Sequence, residues 1–148
     1  MARDAKVIRV TLQAIKCISA GSDPGANLEI FGRLEARGVF IDPMGDPQAG
    51  FRQILWSADD GINIAPGTEL PVNTSAQFFV FERDFLWIGG LMVEEDDFTD
   101  DVLADGFRKV PFDNIGDEII SVGFRSDGQE VVPRFRIEVL EIKKDLAP

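Results

Sequence analysis

A chain of 148 residues is long enough to fill one core, and 15 Lys plus Arg set against 26 Asp plus Glu give it a formal charge of −11, a field that repels nucleic-acid phosphates. It contains no histidine and no tyrosine, which excludes His-based triads, His-ligated zinc or haem, and imidazole acid–base catalysis. Its one cysteine, Cys17, forms no intrachain disulfide, no apolar h-region follows the charged N-terminal residues, and no apolar run is long enough for a bilayer span. The expectation is a single soluble domain over 1–148, cytoplasmic or exported by a non-classical route.

In chain order, Ile8, Val10, Leu12, Ala14 and Ile18 recur on even positions opposite Arg9, Thr11 and Gln13, the pattern of a half-buried strand. After a Ser/Asp/Pro/Gly break at 19–25, Leu28, Ile30, Gly32, Leu34 and Ala36 alternate with Glu29, Phe31, Arg33 and Glu35 in a second strand over 27–37. A Pro/Gly loop at 42–47 precedes a third strand at Phe51–Ser57, which Asp59-Asp60-Gly61 is expected to end as a turn. Pro66-Gly67 and Pro71 make 62–73 a connection or weak edge, and Gln77–Glu82 resumes as a strand. In the next strand, 85–93, Gly89-Gly90 signals a bulge or the close approach of another backbone. Strands at 118–125 and 131–142 flank Ser126-Asp127-Gly128-Gln129, whose Asp-Gly is the strongest hairpin signal in the chain. Only 100–106 suggests a helical turn. This rhythm predicts an all-β antiparallel sandwich of seven or eight strands, with a barrel as the alternative closure. Trp56, Trp87 and the twelve phenylalanines are expected to fill its core.

The chemistry concentrates between Glu94 and Asp105, where Glu94, Glu95, Asp96, Asp97, Asp100, Asp101 and Asp105 follow a hydrophobic strand. Carboxylates this close repel, and either full hydration or a divalent cation relieves them. Calcium suits the second case, since it takes six to eight oxygens and needs no nitrogen or sulfur ligand. Alternation sends Leu91, Val93, Glu95 and Asp97 to one side, carrying two carboxylates from the core face over the end of the sandwich. Asp23 and Glu29, around the first inter-strand loop, offer further oxygens. Glu35 and Asp84 are one of many carboxylate pairs, with no cleft defined around them, so the chain is not expected to be an enzyme.

Two stretches resemble the C2 domain, a β-sandwich family that binds calcium through aspartates in loops at one end. Asp23-Pro24-Gly25-Ala26-Asn27-Leu28-Glu29-Ile30-Phe31 is similar to the family's aspartate, glycine turn and second aspartate, with Glu29 in place of the latter. Val93-x-Glu95-x-Asp97 and Asp100-Asp101-Val102-Leu103-Ala104 resemble its Asp-x-Asp and Asp-Asp-x-Ile-Gly, with a short spacer and Ala104 where glycine stands. The resemblance implies Asp23, Glu29, Glu95, Asp97 and Asp101 as calcium ligands, and a membrane or protein partner, with Phe98 positioned to enter a lipid interface. The lysine-rich strand of many lipid-binding members is not visible. The alternative is a structural or interaction subunit of a larger secreted or toxin-like assembly without functional metal, docking through an edge strand or the 77–93 region.

Overall fold

The computed structural model describes residues 2–21, 26–95, 101–103 and 106–146, with the side chain of Asp101 left aside. Its strands are β1 (Arg3–Ala20), β2 (Leu28–Ile41), β3 (Pro47–Ile64), β4 (Glu69–Phe81), β5 (Phe85–Glu94), β6 (Asp101–Leu103), β7 (Phe107–Pro111), β8 (Glu118–Ser121), β9 (Phe124–Ser126) and β10 (Gln129–Leu146), with one 3-10 turn at Phe112–Asn114. Two antiparallel sheets form a sandwich, as expected. The first runs β4-β1-β10-β8, with β9 also on β10; the second runs β3-β2-β5-β6, with β7 also on β5. β8 and β9 occupy successive stretches of β10, and β6 and β7 successive stretches of β5, so each sheet is four strands wide. Ten strands stand where seven or eight were expected, because the outer neighbours of β5 and β10 are interrupted.

Alternation places Ile8, Val10 and Leu12 of β1, Leu34 and Ala36 of β2, and Leu86 and Ile88 of β5 between the sheets, all fully buried. Each large apolar side chain removed from water there contributes about 1.5–3 kcal/mol before entropy is counted. The even-numbered pattern of β1 holds through Ala14 and then fails. Register shifts against both neighbours fall between Leu12 and Ala14, a bulge that inverts the alternation. Cys17 is therefore fully buried while Ile18 is 44% exposed, the reverse of the sequence pattern.

Asp59-Asp60-Gly61 does not end the third strand. β3 continues to Ile64, and its pairing with β2 jumps from Ala58↔Gly32 to Ile62↔Ile30, so the three residues bulge opposite Phe31. Turn-forming residues fit equally well in a bulge, where the flanking pairing overrides them. Residues 101–103 are strand, not helical turn, because their backbone pairs with Met92–Glu94. At Gly89 and Gly90 the close approach is real: a Cβ would run into the Gly106 carbonyl at the first and the Arg33 carbonyl at the second. Asp127 and Gly128 have φ of 47° and 80°, both in the left-handed region that a two-residue turn between β9 and β10 requires.

Candidate functional site

β2 begins and β5 ends at the same pole of the sandwich. The Glu95 N–H donates to the Glu29 carbonyl at 2.7 Å, extending the β2–β5 ladder one step beyond β5. Glu95 Oε2 accepts a hydrogen bond from the Gly61 N–H at 2.9 Å. The β3 bulge supplies that glycine, and a Cβ at Gly61 would strike Glu95 Oε2 and come within 3.0 Å of Glu29 Cβ. Three strands thus hold Glu29 and Glu95 side by side. Asp101 joins them through the backbone, paired with Glu94. Asp23, Asp97 and Phe98 lie outside the described residues.

Of the line Leu91, Val93 and Glu95, expected on the core face, Val93 is buried but Leu91 and Glu95 are exposed. Leu91 is exposed, whereas Met92 is fully buried and packs in the core. Glu95 therefore leaves β5 from the outer surface of the second sheet. Among the described residues, neither Glu29 nor Glu95 forms an ion pair. Among those residues no three acidic, cysteine or histidine side chains meet closely enough to hold a metal. Asp59 and Asp60, two further oxygen-bearing residues, precede Gly61 in the same bulge.

The outer face of the second sheet carries a second feature, absent from any single strand. Along β2, Arg33, Glu35 and Arg37 share one face by their period of two; register adds Arg52 and Ile54 of β3, Trp87 and Leu91 of β5, and Phe107 and Lys109 of β7. Four cations thus share this face with Glu35, and two of them, Arg37 and Arg52, pair with it. Glu35 is 1% exposed and accepts from Arg37 Nη2 at 2.6 Å and from Arg52 Nε. Burial alone would raise its carboxyl pKa, but the hydrogen bonds and charges of Arg37 and then Arg52 outweigh this and hold it below the ordinary value of 4.5. The Arg37 guanidinium lies 4.5 Å from the Trp87 ring centroid, and Trp87 stacks on Phe107 at 6.0 Å. Trp87 is therefore an outer-face residue, not core; only Trp56 packs against the core. The signal in the sequence was the spaced Arg33-x-Glu35-x-Arg37, which a search for a lysine-rich strand passes over.

Asp84, the other buried carboxylate of that imagined acid–base pair, belongs to a different group at the opposite pole. It is 5% exposed, accepts from the Ile41 N–H at 3.0 Å and lies 3.4 Å from Arg3 Nη1. Glu35 and Asp84 are separate, arginine-matched ions. Burial pushes the Cys17 thiol up, which keeps it protonated and unreactive.

No family model and no curated protein sequence matches the chain. Among solved structures it is similar to human GIVD cytosolic phospholipase A2 in complex with methyl gamma-linolenyl fluorophosphonate, at 12% identity and a TM-score of 0.48, over 95% of this chain and 18% of that one. The same enzyme with the inhibitor and terbium chloride gives 11% identity and a TM-score of 0.47, again over 95% and 18%. The enzyme alone gives 12% and 0.45, over 95% and 17%. The chain spans less than a fifth of the length of these structures. No helix among the described residues is long and apolar enough to cross a membrane.

Proposed function

We propose that this domain is a calcium-dependent binding module without catalytic activity of its own, whose acidic pole takes up the ion and whose adjoining sheet face meets an anionic surface. The observation that carries the reading is the meeting of Glu29 and Glu95 around Gly61, which joins the two acidic stretches through their described ends. The donor set there is oxygen only, as calcium prefers. Glu29 and Glu95, with Asp23, Asp97 and Asp101 from the flanking segments, would hold it. A bound ion would neutralise local repulsion and reverse the sign of the potential at the pole. The cationic face of Arg33, Arg37, Arg52 and Lys109 favours an anionic partner such as a lipid headgroup in spite of the net charge.

A ligand that binds only the folded chain raises its stability, by about 2.7 kcal/mol at roughly a hundredfold excess over Kd. Millimolar calcium is therefore expected to raise Tm by several degrees, and Asp97→Asn to remove the increase. Identical melting curves in calcium and chelator at matched ionic strength would reject the site. Co-sedimentation with anionic vesicles, with and without calcium, then tests the partner.

A protein-docking role without metal has one observation in its favour. The first half of β3, at the edge of the second sheet, is exposed and presents Phe51 and Ile54 to solvent. Stability that ignores calcium, together with strand-mediated capture of a protein, would select that role.

A further inference from the structure

Sheet edges invite further strands, and native proteins keep theirs short, bulged or charged. The outer strands β6, β7, β8 and β9 are short, none longer than the 5 residues of β7. β3 is long, but its register with β2 shifts in three places and it carries Arg52. The part of β10 that runs on past β8 carries Glu138, Glu141, Lys143, Lys144 and Asp145. β4 departs from this rule. It is the outer strand of the first sheet, paired with β1 alone. Its first half is interrupted by Pro71, by a register shift and by Asn73 at φ 54°. From Thr74 to Phe81 the pairing with β1 then runs unbroken, through residues that include no charge, no proline and no glycine.

Hydrogen-bonded and non-hydrogen-bonded pairs alternate along an antiparallel ladder. The Glu82 N–H donates to the Asp4 carbonyl at 3.0 Å, and the register from Ala5↔Phe81 to Leu12↔Thr74 carries that parity to Val80, Phe78, Ala76 and Thr74. Ser75, Gln77 and Phe79 therefore turn their N–H and C=O groups away from β1. The 2.8 Å contact between the Ser75 and Thr11 hydroxyls agrees, since side chains approach most closely in the non-hydrogen-bonded pairs. β2 crosses the end of this edge at Gly38, where a Cβ would lie 3.6 Å from the Phe79 carbonyl. Ser75 and Gln77, both exposed, have no backbone partner on the outward side among the described residues.

We propose that β4 is a self-association edge, on which a second copy of this chain lays its own β4 antiparallel about a two-fold axis at Ala76. In that register Ser75 faces the partner's Gln77 and Gln77 the partner's Ser75, so four backbone hydrogen bonds form and the contact closes as a dimer. Only an extended backbone offers donors and acceptors at strand spacing to match this row. Charge favours a copy at this place. Two chains of −11 repel over most of their surfaces, and the Thr74–Phe81 run brings uncharged residues against uncharged residues. Phe79, 47% exposed and on the same face as Gln77, adds apolar surface for the copy to cover.

The test is analytical ultracentrifugation of the full chain in excess chelator, so that its outcome is independent of the calcium site, together with amide hydrogen exchange. A reversible dimer is expected, at least half populated at about 1 mM because the interface is small, and tightened severalfold in about 0.5 M salt because screening relieves the repulsion between copies. The Ser75 and Gln77 amides should exchange at least tenfold more slowly at high protein concentration than at low, while those of Ala76 and Phe78, already bonded to β1, change little. Gln77→Pro removes an outward N–H and leaves the β1 ladder intact, and Ser75→Lys charges the edge without altering the backbone; each should abolish the dimer and leave a folded monomer. If Gln77→Pro does not fold, Ser75→Lys decides. A chain that stays monomeric at about 1 mM in both salts, a dimer that persists in Ser75→Lys, or one lost instead in Ile54→Lys on the β3 edge would each overturn the proposal. So would Ser75 and Gln77 protection that requires an added Thr-Val repeat peptide, which would make the edge a site for foreign strands.

Discussion

At the pole where β2 begins, Glu29 and Glu95 lie beside one another with no ion-pair partner among the described residues, whereas Asp84 at the far pole and Glu35 on the second sheet each sit against arginine. Burial separates the two cases. Asp84 and Glu35 are nearly sealed from water and need a countercharge within the fold. Glu29 and Glu95 are exposed and solvent carries their charge, so their oxygens stay available to an external cation. The −11 charge is thus unevenly balanced: arginines face the buried Asp84 and Glu35, whereas Glu29 and Glu95 lie in solvent.

That contrast is sharpest where an acid is removed. Asp84→Ala should cost about 3 kcal/mol in urea unfolding, because the Ile41 N–H loses its acceptor and Arg3 its counterion in a buried setting. A cost below about 0.5 kcal/mol would show that Asp84 is as dispensable as a solvated acid. Glu35→Gln should cost about 2 kcal/mol, less than Asp84→Ala because water reaches the partly exposed Arg37 and Arg52.

Glu35 also has a pH signature. Its folded pKa lies below the ordinary 4.5, so its stabilisation is fully present above that value and is lost as pH falls through the lower folded one. Glu35→Gln should flatten that acid limb. An unchanged limb would assign acid unfolding to other carboxylates.

Changes at the acidic pole should be smaller in chelator. Gly61→Ala is expected to cost about 1 kcal/mol, by displacing the Glu95 carboxylate and breaking its bond to the Gly61 N–H. It should also reduce the calcium-induced rise in Tm. Glu95→Gln should shift chelator stability by no more than about 0.5 kcal/mol, since an exposed charge interacts weakly, yet abolish most of the calcium response. A large loss in chelator would make Glu95 a structural acid and remove the contrast between the poles.

The sandwich was legible because period-two burial is a local property of each strand, and the Asp127-Gly128 turn was legible because its left-handed φ values demand those residue types. What misled were local signals that pairing overrides. Ile18 read as a core continuation of β1 until the bulge between Leu12 and Ala14 turned it outward, and Asp59-Asp60-Gly61 read as a turn until β2 held β3 on both sides of it. At the candidate site, the residue types of Glu29 and Glu95 were readable from the carboxylate clusters. Gly61 between them was not, since its place beside Glu95 is set by the bulge in the β2–β3 register.

The sequence alone determined the all-β class, the absence of histidine and disulfide chemistry, and the two acidic stretches, because composition and alternation are properties of the chain before it folds. Tertiary structure alone decided which charges become neighbours. Arg33, Arg37, Arg52 and Lys109 share a face, and Arg3 meets Asp84, only through inter-strand register. A one-residue shift of pairing would send each of these side chains to the opposite face, and register is set by the whole sandwich rather than by any one strand.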